Sequence, residues 1–366
     1  MKYLKPVFKG IKWPFKLLKV FLKQKAGWLD IPKILPYKGY GDATDIYLKG
    51  MVIEDKGLAK PQEKQSIYKN ILATIKRFSS DEIPGVKVKA ELLGKSLTTE
   101  TDELGYFSFH FHFENKETEL LAKQWHSVHF ELLDEIVEDQ PHIYATEKVR
   151  IISPEQPRIV VSDIDDTAMV SHSTQTLRKL RLMLLKDALS RNPFPGASKF
   201  YKALSEGINK KENNPFFFVS SSEWNLYDLL DDFFTFNNFP KGIFLLRELE
   251  YSIYKFWKSG GGSHEHKYDK IKSLVKLYPG HQFILIGDSG QQDPEIYSKL
   301  ALEFPGRIDA IYIRRIRSKS YVEKNPELYK KLEKVQTSYL EVINTHEALA
   351  HAAKKGYVAP ETMNEM

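Results

Sequence analysis

The stretch IVVSDIDDT, Ile159 to Thr167, decides how the second half of this chain is read. Three acids fall within four residues, directly after an apolar run that has the texture of a buried strand. Clustered carboxylates at a partly desolvated strand end raise one another's pKa unless a positive partner lies among them. The stretch therefore predicts such a partner, and the rest of the chain has to supply it. Asp165 lies two residues beyond Asp163 and points the same way along an extended segment, whereas Asp166 points the other way and serves the turn.

From Arg158 onward, short apolar runs alternate with helical patterns. The runs are Ile159–Val161, Phe216–Val219, Ile243–Leu246, Phe283–Ile286 and Ala310–Ile313. Between them lie helix-period segments such as Ala197–Leu204, Leu226–Phe236 and Tyr268–Tyr278. Continuous apolar strands separated by helices predict an α/β fold with a parallel sheet covered on both faces. In such sheets ligands bind beyond the carboxyl ends of the strands. Asp163, Asp165 and Thr167 follow the first run, Ser220, Ser221 and Ser222 the second, and Asp288 with Asp293 the fourth. Lys267 opens a helical segment between the third and fourth runs.

That set has a coherent chemistry. Asp163 and Asp288 offer hard oxygen ligands to Mg²⁺, which is usually held by one or two carboxylates and a substrate phosphate. The metal is then the missing positive partner. Asp163 is positioned to attack phosphorus, and Asp165 to protonate the leaving oxygen and later activate water. A serine after the second run would hold a phosphate oxygen, and Lys267 would balance charge. Ser220, the first after its run, is preferred over Ser221. Lys267 competes with Lys270 and is favoured because Ile271 and Leu274 follow it at helical spacing. A calcium loop is excluded, because its sixth position would be Ala168 and its twelfth Thr174, where glycine and glutamate are required.

The motifs carry a resemblance. Asp163–Thr167 resembles the first motif of the haloacid dehalogenase superfamily, Ser220 its second, Lys267 its third, and Asp288 with Asp293 its fourth. More narrowly, SDIDDT, SSSEWNLYDLL, HKYDKI, FILIGDSGQQDPEIY and AIYIRR resemble the actin-patch-type phosphatidate phosphatase family and its bacterial relatives. The resemblance implies a Rossmann-like sheet of the haloacid dehalogenase type and Mg²⁺-dependent hydrolysis of phosphatidate to diacylglycerol. It implies Asp163, Asp165, Ser220 and Lys267 as catalytic residues. Asp163, Asp165, Asp288 and Asp293 form the implied metal set, and Thr167, Ser221 and Trp224 the substrate contacts. The insert between the first two motifs is short, with Ser171–Ser190 reading as one basic helix, so a minimal cap is expected. An open site of that kind suits a bulky or membrane-borne phospholipid.

Residues 29–152 have a different texture. Val86, Val88, Ala90 and Leu92 alternate with charged residues, as do Phe107, Phe109, Phe111 and Phe113 with Ser108, His110 and His112. This period of two predicts an antiparallel β-sandwich. His110 and His112 share one strand face, which is read as the polar face of the sheet ahead of a metal site. The YKGYGDATDIYLKGMVI stretch resembles the β domain that precedes the phosphatase in the bacterial relatives. A protein partner for this domain is left open.

Of 366 residues, 42% are apolar and 28% charged, and cysteine is absent, which removes disulfide and thiolate chemistry. The net charge of +6 is concentrated in Met1–Lys25, which holds eight lysines and no acid. A basic face for nucleic acid is therefore not expected. Lysines and apolar residues in this segment recur at helical spacing, most cleanly over Pro14–Lys25. The expectation is a basic amphipathic helix on an anionic membrane surface, with a helix docked on the body as the competing reading. The expected organisation is 1–28 basic segment, 29–152 β domain, 153–358 phosphatase-like domain and 359–366 tail. Its expected place is the cytoplasm, peripheral on the inner membrane face. The alternative functions are a phosphatase of soluble or macromolecular phosphomonoesters and a non-catalytic scaffold that binds a partner through the β domain.

Overall fold

The computed structural model describes residues 14–55, 81–114, 118–164, 195–247, 263–316 and 320–365. The chain divides into two compact units, Met1–Ser153 and Pro154–Met366. Asp165, Asp166, Thr167 and the basic insert 171–190 lie outside the described residues.

The first unit is one seven-stranded sheet. Its strands are β1 (Pro32–Gly41), β2 (Asp45–Glu54), β3 (Lys87–Leu92), β4 (Lys95–Glu100), β5 (Tyr106–His112), β6 (Trp125–Leu132) and β7 (Tyr144–Ile151). The spatial order is β4-β3-β6-β7-β1-β2-β5. All pairings are antiparallel except β1 with β7, which run parallel. The expected sandwich of two antiparallel sheets is thus corrected to one mixed sheet, curled until the edge strands β4 and β5 approach each other. The expected alternation holds, since Val88, Ala90, Leu92, Phe107, Phe109 and Phe111 all enter one core. Alternation reports which face of a strand is buried, and both architectures bury one face.

Strand β4 (KSLTTE) went unrecognised because it is an edge strand whose side chains stay exposed or half-buried, leaving no apolar alternation to see. It is joined to β3 by a turn in which Leu93 and Gly94 both take positive φ, 49° and 75°, the backbone of a tight hairpin.

A helix, Pro14–Lys25, packs on this unit. Val20 joins the core, and Gln24 Nε2 donates to the Ile136 carbonyl at 2.9 Å. Lys23 donates to Glu54 at 2.5 Å and Asp81 at 3.0 Å, and Lys19 to Asp81 at 2.6 Å. Two of its lysines are thus turned to acids of the first unit, as the docked-helix reading expects. No described helix is long and apolar enough to cross a membrane.

The second unit is a six-stranded, fully parallel sheet. Its strands are β8 (Arg158–Asp163), β9 (Phe216–Glu223), β10 (Ile243–Arg247), β11 (Gln282–Asp288), β12 (Ile308–Arg314) and β13 (Ser338–Val342). Their order is β10-β9-β8-β11-β12-β13, and every adjacent pair is parallel. Counted from β8 this is 3-2-1-4-5-6, the order of the doubly wound arrangement. The five apolar runs are β8 to β12. The sixth strand was missed because it is a half-exposed edge, SYLEV, with only two buried residues. The order reverses between β8 and β11, so their carboxyl ends flank the switch point where such sheets bind ligands.

Candidate active site

Strand register brings the sequence-singled residues to that point. Ile286 pairs with Ser162 across β11 and β8, so Asp163 and Asp288 end adjacent strands nearly level. Asp163 pairs with Val219 across β8 and β9, placing Ser220 one residue further along the neighbouring strand. Asp163, Asp288 and Asp293 are all fully buried, with one carboxylate oxygen of each within 4.8 Å of the others.

Lys267 enters from the helix Ser263–Leu277. Ile271 and Leu274, four and seven residues on, are buried and pin that helix to the sheet. The Lys267 ammonium donates to Asp163 Oδ1 at 2.8 Å and Asp293 Oδ1 at 2.5 Å. Burial opposes the charged ammonium, but attraction from Asp163 and Asp293 outweighs it and holds the Lys267 pKa above its ordinary value. Lys270 goes elsewhere and donates to the Leu245 and Leu246 carbonyls of β10 at 2.9 and 2.6 Å.

The loop after β11, GDSGQQD, is shaped by its own aspartates. Asp288 Oδ1 accepts from the N–H groups of Gly290 at 2.5 Å and Gln291 at 3.1 Å, an Asx turn. Asp293 opens the helix Asp293–Glu303, where a carboxylate is favoured by the helix dipole. Its Oδ2 accepts from Asp288 N–H at 3.1 Å. Gly287 makes this close packing possible, since a Cβ there would stand 2.4 Å from Asp293 Oδ2. The loop is tied to β12 by Ser289 N–H to the Arg314 carbonyl and Ile316 N–H to Ser289 Oγ, 2.9 and 2.8 Å.

On β9, Ser220 is buried and its Oγ accepts from Ser222 N–H at 2.9 Å, while Ser221 is half-buried. Trp224, expected at the substrate, is buried with its ring centroid 6.1 Å from that of Tyr227. Sequence reading missed three residues around Asp163. Tyr201 Oη and Ser162 Oγ lie 2.7 Å apart, and Ser162 Oγ donates to the Asp163 carbonyl at 2.8 Å. Gln291 Nε2 lies 3.4 Å from Asp163 Oδ2. Only Gln291 had a signal, its place inside GDSGQQD; Tyr201 sits in an ordinary amphipathic helix. Burial, with the nearby charge of Asp163, raises the Tyr201 pKa and keeps its hydroxyl a neutral hydrogen-bond partner. Tyr297, beneath the acids, is pushed well above its ordinary range by burial and by Asp293, Asp163 and Asp288.

Three buried carboxylates against one ammonium leave two negative charges in surplus among these four side chains. Buried charge in surplus is costly. A donor set of hard oxygens alone fits Mg²⁺ and does not favour a thiophilic or imidazole-seeking metal.

Residues 158–315 match the family model for the catalytic domain of phosphatidate phosphatase APP1. Over those residues the chain is similar to that catalytic domain. It is 28% identical over 319 residues to phosphatidate phosphatase APP1 of Saccharomyces cerevisiae, an overlap of 84% of this chain and 52% of the yeast protein. It is 29% identical over 160 residues to an uncharacterized protein of Schizosaccharomyces pombe, covering 43% of this chain and 25% of that one. The chain therefore spans about half, or less, of the length of these relatives. Among solved structures, a carbohydrate acetylesterase from Xanthomonas citri overlaps 89% of this chain and 76% of its own, at a TM-score of 0.30 and 9% identity.

Proposed function

We propose that the chain is an Mg²⁺-dependent phosphatase of phosphatidate, with a second unit of the haloacid dehalogenase type. The observation that carries this reading is the buried cluster of Asp163, Asp288, Asp293 and Lys267 at the sheet's switch point. Asp163, Asp288 and Asp293, with Asp165, are the residues that would hold Mg²⁺. The ion would supply positive charge that draws the phosphate in and polarises it.

The chain's own residues divide the remaining work. Asp163 attacks phosphorus, the bond from phosphorus to the glycerol oxygen breaks, and Asp165 delivers a proton to that oxygen. Water then attacks the aspartyl phosphate, losing its proton to Asp165, and inorganic phosphate leaves. Lys267 aims Asp163, with one oxygen held at 2.8 Å. Ser220 or Ser221 holds a non-bridging phosphate oxygen. Action at a membrane surface is proposed on residues 1–25, whose eight lysines and lack of acids would attract an anionic bilayer.

The test is phosphate release from phosphatidate vesicles with Mg²⁺, beside a soluble aryl phosphate. Release from vesicles that is abolished in Asp163→Asn is the expected result. Release from the aryl phosphate alone would shift the reading to soluble phosphomonoesters, and release from neither would refute it.

A further inference from the structure

The first unit carries a second convergence of metal-type ligands, unlike the first in chemistry. Strand β5 turns Phe107, Phe109 and Phe111 into the core, so His110 and His112 share its outer face. Asp45 starts β2 and is the register partner of His112. Asp45 Oδ1 lies 2.7 Å from His110 Nε2 and 2.9 Å from His112 Nδ1, and the three donor atoms fall within 4.8 Å of one another.

The arrangement is held in place from several sides. The Tyr47 ring stacks on His110, with centroids 4.6 Å apart and planes 8° from parallel. Thr44 Oγ1 donates to Asp45 Oδ2 at 2.9 Å, which orients the carboxylate and leaves Oδ1 for the histidines. Thr44 is itself fixed by an Asx turn, its backbone N–H donating to Asp42 Oδ1 at 2.8 Å. Outer hydrogen bonds of this kind are what aim the ligands of metal sites.

We propose that Asp45, His110 and His112 form a surface site for a divalent transition ion of the zinc class. Two ligands on one such ion stand about 3.0–3.4 Å apart when its bonds are about 2.1 Å. To admit it, the observed 2.7 and 2.9 Å separations open by about half an ångström, and the two imidazole nitrogens, within 4.8 Å of each other, take the same spacing. Two imidazoles and a carboxylate select zinc, nickel or copper over Mg²⁺, which prefers oxygen alone. The histidine side chains are 50% and 61% exposed, so the outward coordination positions face water or a donor from another molecule. Bound metal would clip β2 to β5, the strand at one end of the sheet order.

The test is calorimetric titration of the metal-stripped 366-residue chain with Zn²⁺, in millimolar Mg²⁺ so that the carboxylate cluster is not the site counted. One saturable equivalent is expected, weakened about tenfold or more in His110→Ala and in His112→Ala. Asp45→Asn keeps an acceptor oxygen for both imidazoles while removing the anionic ligand, so it should fold and still bind more weakly. Co²⁺ should show visible absorption bands in the wild-type chain that are lost in the same three variants. Absence of saturable Zn²⁺ uptake, or uptake equal in wild type and variants, would overturn the proposal in favour of a plain hydrogen-bonded trio.

Discussion

Gly287→Ala tests the packing of the carboxylate cluster at one atom. The added Cβ would lie 2.4 Å from Asp293 Oδ2, 2.7 Å from its Cβ and 2.8 Å from its Cγ. Ordinary contact requires about 3.4 Å or more, so the Asp293 side chain must retreat by about 0.6–1 Å or the backbone must move. Retreat strains the Lys267–Asp293 ion pair of 2.5 Å and the bond from Asp288 N–H to Asp293 Oδ2 of 3.1 Å. Loss of one charge-assisted bond, with overpacking, comes to about 3–5 kcal/mol off the stability of the second unit. Displacement of the lysine that aims Asp163 should also lower phosphate release by about a hundredfold. Gly280→Ala is the internal control, because a Cβ there meets nothing within 4 Å. The assays are chemical unfolding followed by near-ultraviolet dichroism, and phosphate release at saturating phosphatidate. A Gly287→Ala protein within about 1 kcal/mol of wild type and fully active would refute the reasoning.

Further predictions concern the two lysines, the docked helix and the core of the first unit. Lys267→Met should destabilise by about 3–5 kcal/mol by stranding buried carboxylates, whereas Lys270→Met, which removes bonds to two strand-end carbonyls, should cost about 1–2 kcal/mol; equal losses would contradict the assignment. Burial favours the neutral acid at Asp81, but hydrogen bonds and attraction from Lys19 and Lys23 win and depress its pKa. Its stabilisation is therefore present above the unfolded value of about 3.9 and is lost as pH falls through the lower folded value. Asp81→Asn should flatten that acid limb of stability against pH, measured by thermal unfolding between pH 5 and pH 2.5. Thr101→Val should cost about 1–3 kcal/mol, because Thr101 Oγ1 accepts from Val86 N–H and donates to the Ile83 carbonyl inside the first unit; a loss below about 0.5 kcal/mol would show that water replaces it.

The sequence by itself determined the parallel sheet and the residues at its open edge. Apolar runs such as FFFV and FILI are long enough to be buried on both faces, and the polar residues that follow them have to emerge at one rim. It also determined which strand faces of the first unit are buried, because alternation with a period of two is a local property of the backbone. Only the tertiary structure decided how those strands pair. One curled sheet and two stacked sheets demand the same alternation, so the parallel β1–β7 pairing and the exposed edges β4 and β13 left no local trace. The same holds for the lysines. Lys267 and Lys270 are three residues apart on one helix, and which reaches the acids depends on how Ile271 and Leu274 seat that helix on the sheet. The docked N-terminal helix followed the same rule: its amphipathic pattern was legible, but its partner was Glu54 and Asp81, acids far along the chain. The positive partner that IVVSDIDDT required is in part Lys267, and three-dimensional convergence of residues up to 130 apart is what brings the acids and the ammonium together.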